Sequence, residues 1–175
     1  MADILPEKWM KGVAITTTVL AVLTSIASSR AGFCVAKNQV LTALEGSKWA
    51  YYQAKSIKQN LAETQKTVLE SAILGVTTPE QKGFLEKTIK ENDADVVRYE
   101  QEKGQIKTDA ELVGKDNVTV SRRGNHFSMS VVFFQIGIML SSVSALLKRK
   151  EMWIIGLIFG CVAIVYLANG LFLFF

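Results

Sequence analysis

Three uncharged apolar runs divide the chain, at residues 12–29, 127–147 and 152–175, of 18, 21 and 24 residues. A helix needs about 20 mostly apolar residues to cross a bilayer, so each run is predicted to span one. The spans are placed at 13–33, 127–147 and 152–175, with an N-terminal flank at 1–12 and a basic loop at 148–151. Between the first two spans lies an insert, 34–126, in which continuous apolar character gives way to helical periodicity.

Residues 34–74 hold no proline and one glycine, Gly46, among Ala, Leu, Lys, Gln and Glu. They are predicted to continue the first span as one helix, its 41 residues extending roughly 60 Å. Its expected inward stripe is Ala43, Ser47, Ala50, Ala54, Ile57, Leu61, Thr64, Val68 and Ser71, spaced alternately four and three. Gly75, Val76 and Thr77 interrupt this pattern. Thr78, Pro79 and Gln81 then supply an N-cap, a first-turn proline and a capping-box glutamine. The second helix, 79–114, carries Leu85, Ile89, Asn92, Val96, Tyr99, Lys103, Ile106, Ala110 and Val113 as a coiled-coil seam, with Asn92 and Lys103 placed to set register. Helices joined by so short a link are expected to run antiparallel. Residues 116–125, with β-branched Val118, Thr119 and Val120 and then Gly124, form the one expected extended stretch. The fold class is therefore an all-α membrane protein, with three transmembrane helices and a long antiparallel, coiled-coil-like helical hairpin between the first and second.

Charge sharpens the division. Residues 30–126 carry 15 basic and 13 acidic side chains of the chain's 36 charged residues, with the signs interleaved. Such mixing describes a solvated surface, and no nucleic-acid partner is expected. Lys8, Lys11, Lys148, Arg149 and Lys150 flank the spans on one side, against Arg30, Lys37, Lys115, Arg122 and Arg123 on the other. Because long segments translocate largely regardless of charge, the N-terminus and basic loop are assigned to the cytoplasm of a bacterial inner membrane, and the hairpin to the periplasm. Phe175 then ends in the membrane. Trp9 and Trp153 fall at interfaces, and Arg122 and Arg123 form a basic collar suited to lipid phosphates, so the bilayer itself is the first expected partner. The first span reads as a retained anchor rather than a cleaved signal, and Cys34 and Cys161 as free thiols.

Candidate chemistry is sparse. No Asp, Glu, Lys, Arg or His lies within the three uncharged runs, which argues against a pump or coupled transporter. Thr16, Thr17, Thr18, Ser25, Gln135, Ser141, Ser142 and Asn169 are expected to hydrogen-bond between helices or to sit at the membrane edge. His126 is the one histidine, and Gly-rich phosphate loops, HExxH and CxxC spacings are missing, so no catalysis, metal or cofactor is expected. Trp49, Tyr52, Phe84 and Val97 lie off both seams and call for cover by a second hairpin in a homo-oligomer. Ala50, Ala54, Leu61, Ile89, Val96, Tyr99 and Ile106, with the Gly156/Gly160 pair, are the expected packing positions.

The run WAYYQAKSIK at 49–58 is the most distinctive string. Trp49, Tyr51, Tyr52, Gln53, Lys55 and Lys58 either present a basic aromatic surface to a ligand or partner, or pack against the returning helix near Ile106 with lysine stems covering the rings. With the three spans and the helical insert, this string resembles a bacterial membrane family called domain of unknown function 4337, over nearly the whole chain. The resemblance implies a three-span membrane protein with a helical insert and brings no activity. The expected role is an oligomeric, membrane-anchored structural scaffold. Its alternatives are an accessory or sensor subunit of a membrane complex, binding a periplasmic partner or ligand, and an oligomeric pore lined by Thr16, Thr17, Ser25 and Gln135.

Overall fold

A computed structural model describes residues 8–172 of the chain. Phe175 and the flank up to residue 7 lie outside the described residues. The described chain forms three helices, α1 (Lys8–Ile73), α2 (Pro79–Leu147) and α3 (Lys150–Phe172), and among the described residues there is no strand. All three are long and apolar enough to cross a membrane. They divide between two units, Met1–Val40 with Asn117–Phe175, and Leu41–Asp116.

In the first unit, α1 buries Val13, Leu20, Ala27 and Cys34, one residue every seven. Two helical turns separate successive members, so the four lie in one row. Leu20 and Ala27 join Phe134 of α2 and Ala163 of α3 in a core flanked by Leu23, Val131, Phe133, Ile138 and Leu167. Glycines set how closely the helices meet. A Cβ added to Gly156 would lie 2.9 Å from the Gly137 carbonyl oxygen and 2.9 Å from Ser141 Oγ, and one on Gly160 would meet Leu20 Cδ2 at 3.0 Å. Small residues give apolar helices van der Waals contact that lipid would otherwise compete for. Ile15, Val19, Val22, Ile154, Ile158 and Val165 point outward, so the unit is also apolar outside.

At one end of this unit the Trp9 and Trp153 rings lie 6.5 Å apart, and Trp153 Nε1 donates to Thr16 Oγ1 at 3.1 Å. The loop from α2 to α3 turns through Lys148 at φ 52°. The Arg149 N–H reaches the Ser144 carbonyl at 3.2 Å, and the Ser144 hydroxyl donates to the Arg149 carbonyl at 2.7 Å. A left-handed residue followed by that six-to-one backbone bond is a Schellman stop, here made with lysine instead of glycine.

The extended stretch expected at 116–125 is helical, and α2 runs through it to Leu147. Three β-branched residues lower helix propensity by only a few tenths of a kcal/mol each, too little to break a helix that continues on either side of them. Gly124 serves a close approach: a Cβ there would come 3.1 Å from Cys34 Cβ.

In the second unit the link between α1 and α2 is tied by Gly75 N–H to the Ala72 carbonyl, 3.1 Å, and by Lys82 N–H to the Thr78 carbonyl, 3.1 Å. Thr78 donates its hydroxyl to Gln81 Oε1, so the cap and the glutamine three residues on do meet.

These glycine contacts make a paired prediction. Gly156→Leu should destabilise the protein by about 1–3 kcal/mol through overpacking. Gly104→Ala, where an added Cβ meets nothing within 4 Å, should stabilise it by about 0.5–1 kcal/mol. Denaturation in detergent micelles, followed by circular dichroism, reads both.

Candidate interaction surface

The second unit decides what the WAYYQAKSIK run faces. Every member of the α2 seam is turned inward, with Ile106 and Ala110 fully buried and Leu85, Ile89, Asn92, Val96, Tyr99, Lys103 and Val113 partly so. The α1 stripe differs. Ala43, Ser47, Ala50, Ala54, Ile57, Leu61, Thr64, Val68 and Ser71 are all exposed. The inward positions are Leu41, Glu45, Lys48, Tyr52, Lys55, Gln59, Ala62, Lys66 and Leu69. Each stands two residues before its expected counterpart, which at 3.6 residues per turn is about 200° around the helix. The expected inward face of α1 is therefore its outer face. On that face Lys48, Lys55 and Lys66 answer Asp109, Glu102 and Asp93 of α2, among the apolar Leu41, Tyr52, Ala62 and Leu69.

Those answers are three ion pairs. Lys48 Nζ lies 2.7 Å from Asp109 Oδ2, Lys66 Nζ 2.7 Å from Asp93 Oδ1, and Lys55 pairs with Glu102. The tyrosines fill the spaces between. Lys55 Nζ sits 5.4 Å from the Tyr51 ring centre and 5.3 Å from that of Tyr99, while Lys103 Nζ lies 5.6 Å from Tyr52. Lys103 also donates to Gln59 Oε1 at 2.8 Å and to Glu100 Oε2 at 3.2 Å. Trp49 meets Tyr52 edge to face at 5.7 Å. The lysine stems cover the rings while their ammonium groups reach carboxylates, so apolar burial and charge pairing occur in one layer.

Within the run, Tyr52 and Lys55 thus belong to this ladder, with Trp49 and Tyr51 at its margin. Gln53 and Lys58 are exposed, as are Ala50 and Ala54. Among the anchoring candidates, Arg122, Arg123, Lys148, Arg149 and Lys150 are exposed in the first unit, and Trp9 and Trp153 stand together as described. Gly156 and Gly160 are buried.

The apolar segments hold few polar side chains that look outward for partners. Thr16, Thr17, Thr18, Thr24 and Ser25 each donate to a carbonyl one turn earlier in α1, Thr17 to Val13 at 2.7 Å and Ser25 to Ala21 at 3.1 Å among them. Ser130 Oγ donates across to the Ala163 carbonyl at 2.9 Å, and Asn169 Nδ2 lies 3.1 Å from His126 Nε2. Asn169 thus bonds between helices as expected, while its partner His126 and the Ser130 bond were not legible from spacing, because the residues that meet come from different helices. Among the described residues no group of three His, Cys, Asp or Glu could hold a metal ion. A shallow cleft of about 420 Å³ in the first unit is lined by Asn38, Asn117, Val118, Ser121, Arg122 and Asn125.

An all-helical chain with three membrane-length apolar helices and a separate polar helical unit is the class these features define. The chain belongs to the family described as a domain of unknown function, DUF4337, whose family model matches residues 9–173. No protein of curated function and no solved structure matches it.

Electrostatics of the ladder carry a pH prediction. The bond from Lys55 is the main cause holding the Glu102 carboxyl below the usual carboxylate range, with burial working against it. Bonds from Lys103 and then Gln59 lower Glu100 likewise. The same kind of contact raises Lys55, through Glu102, and Lys66, through Asp93. The depressed acids stabilise the fold above the unfolded carboxylate pKa of about 4.3, and that contribution is lost as pH falls through their lower folded values. The raised lysines contribute fully below about 10.4, and the contribution is lost as pH rises through their folded values. Stability should be flat between these limits and fall at both ends. Lys55→Met should lower it at neutral pH and make the acid limb shallower, read as the thermal midpoint against pH.

Proposed function

We propose that this protein is a membrane-anchored, homo-oligomeric structural scaffold of the bacterial inner membrane, presenting an antiparallel helical hairpin on the periplasmic side. The observation that carries the reading is how the second unit spends its charged and aromatic residues. Its ion pairs join positions that rise along α1 as they fall along α2, from Lys48 with Asp109 through Lys55 with Glu102 to Lys66 with Asp93. The side chains best suited to ligand chemistry are thereby engaged in holding helix to helix. Catalysis and nucleic-acid binding have no part in the proposal.

The orientation draws on the first unit. Trp9 and Trp153 meet there, which brings the start of α1 and the basic loop at 148–151 to one end, and positive residues favour the cytoplasm. The pore alternative draws no support from the threonine and serine hydroxyls of α1, which donate within their own helix and so need no polar lumen to satisfy them. An accessory-subunit reading rests on the polar cleft at Arg122, open to an anionic or amide-bearing group.

Mass photometry of the detergent-solubilised protein should give particles at a multiple of 19.3 kDa. A monomer at every concentration would overturn the scaffold reading. Trp49→Ala should lower thermal stability and leave any co-purifying protein bound. Loss of a partner without loss of stability would favour the accessory reading.

A further inference from the structure

The face of α1 that turns away from α2 is a seam without a partner. Ala43, Ser47, Ala50, Ala54, Ile57, Leu61, Thr64, Val68 and Ser71 keep alternating spacings of four and three over about four heptads, the spacing and length of a coiled-coil seam, though with Ser and Thr at three positions and one charge on its flanks. Its large members stand open, Ile57 at 67%, Leu61 at 56% and Val68 at 59% exposure. Tyr51 and Leu44 flank it and are exposed as well. We infer that this seam pairs with the same seam of a second copy, α1 against α1, parallel and in register.

Charge selects that occupant. Taking the seam as the a and d positions, the flanking e and g positions are Leu44, Tyr51, Lys58, Gln65 and Ala72, and Gly46, Gln53, Asn60, Thr67 and Leu74. Lys58 is the one charge among them. In a parallel pair each g position faces the e position five residues on in the other helix, so Lys58 would meet Gln53 of the second copy, and no like charges are opposed. The outer face of α2 is no substitute, because Lys87, Lys90, Glu91, Arg98, Lys107 and Glu111 would have to be stripped of water against an uncharged surface.

Geometry and area agree. Copies inserted in one orientation present α1 in the same direction, so a two-fold axis along the membrane normal makes the pair parallel. The small residues of the half that precedes Ile57 let the helices come close there, and the larger side chains beyond it fill the seam. The open apolar surface on the seam and its flanks amounts to on the order of 600 Å² per copy, near what each partner of a stable complex buries.

The inference rests on the hairpin proposed above, and one experiment separates the two. In a Cys34→Ala, Cys161→Ala background, Ala54→Cys and Leu61→Cys are introduced singly, with Gln101→Cys on the outer face of α2 as control, and native membranes are oxidised. Disulfide-linked dimers should form at both seam positions, at least about tenfold above the control, since bridging requires the two Cα atoms within about 7 Å. Dimers at only one seam position would mean antiparallel pairing and overturn the inference. So would yields no higher than at Gln101, or adducts whose mass is not twice the chain, which would assign the face to a different protein. The hairpin is read separately by a Lys66→Cys, Asp93→Cys variant treated with a short bis-maleimide. Bridging within one chain, without dimers at Ala54 and Leu61, leaves the hairpin standing and removes the pairing. Absence of the bridge removes both.

Discussion

The contact between Gly137 and Gly156 is the constraint on which the apolar unit depends. Apolar helices gain little from meeting one another in hydrocarbon, because the lipid they displace is as apolar as they are. Association then rests on dispersion contact at short range, and dispersion falls away within an ångström. Missing side chains at Gly137 and Gly156 allow α2 and α3 to touch at backbone level, and Gly160 admits Leu20 from α1. Around that contact the core of Leu20, Ala27, Phe134 and Ala163 closes without charge. Most of the polar groups present are satisfied where they stand, the α1 hydroxyls on their own helix and Ser130 on the Ala163 carbonyl, while the buried Ser141 hydroxyl packs against Gly156 without a partner.

The polar unit solves the opposite problem. Water already drives its apolar surface together, but two helices alone bury only one stripe each. The tyrosine and lysine ladder widens that stripe by using lysine stems as apolar cover and their heads as ion-pair partners. Exposed ion pairs of this kind contribute little singly. Their larger effect is on alignment, since a one-residue slip would part Lys48 from Asp109 and Lys66 from Asp93 together.

Legibility from sequence followed the physics of each segment. The three apolar runs, the cap at Thr78 and Pro79, and the inward positions of α2 could be read directly, because along α2 the inward residues are mostly the apolar ones, with Asn92 and Lys103 in step with them. The α1 face could not. Two stripes share that helix, one small and apolar and one of lysine, tyrosine and glutamine, and an apolar pattern ranks the first as inward. Nor could the helical course of 116–125, where β-branched residues and a glycine suggested extension and the glycine in fact admits Cys34.

Sequence alone determined the membrane-length helices, the division between apolar and polar segments and the register of α2, since these depend on local composition and period. Tertiary structure alone decided which face of α1 meets α2 and which residues the WAYYQAKSIK run touches. Those contacts reach carboxylates some 27 to 61 residues away in the chain, a separation that no local pattern of apolar positions reports.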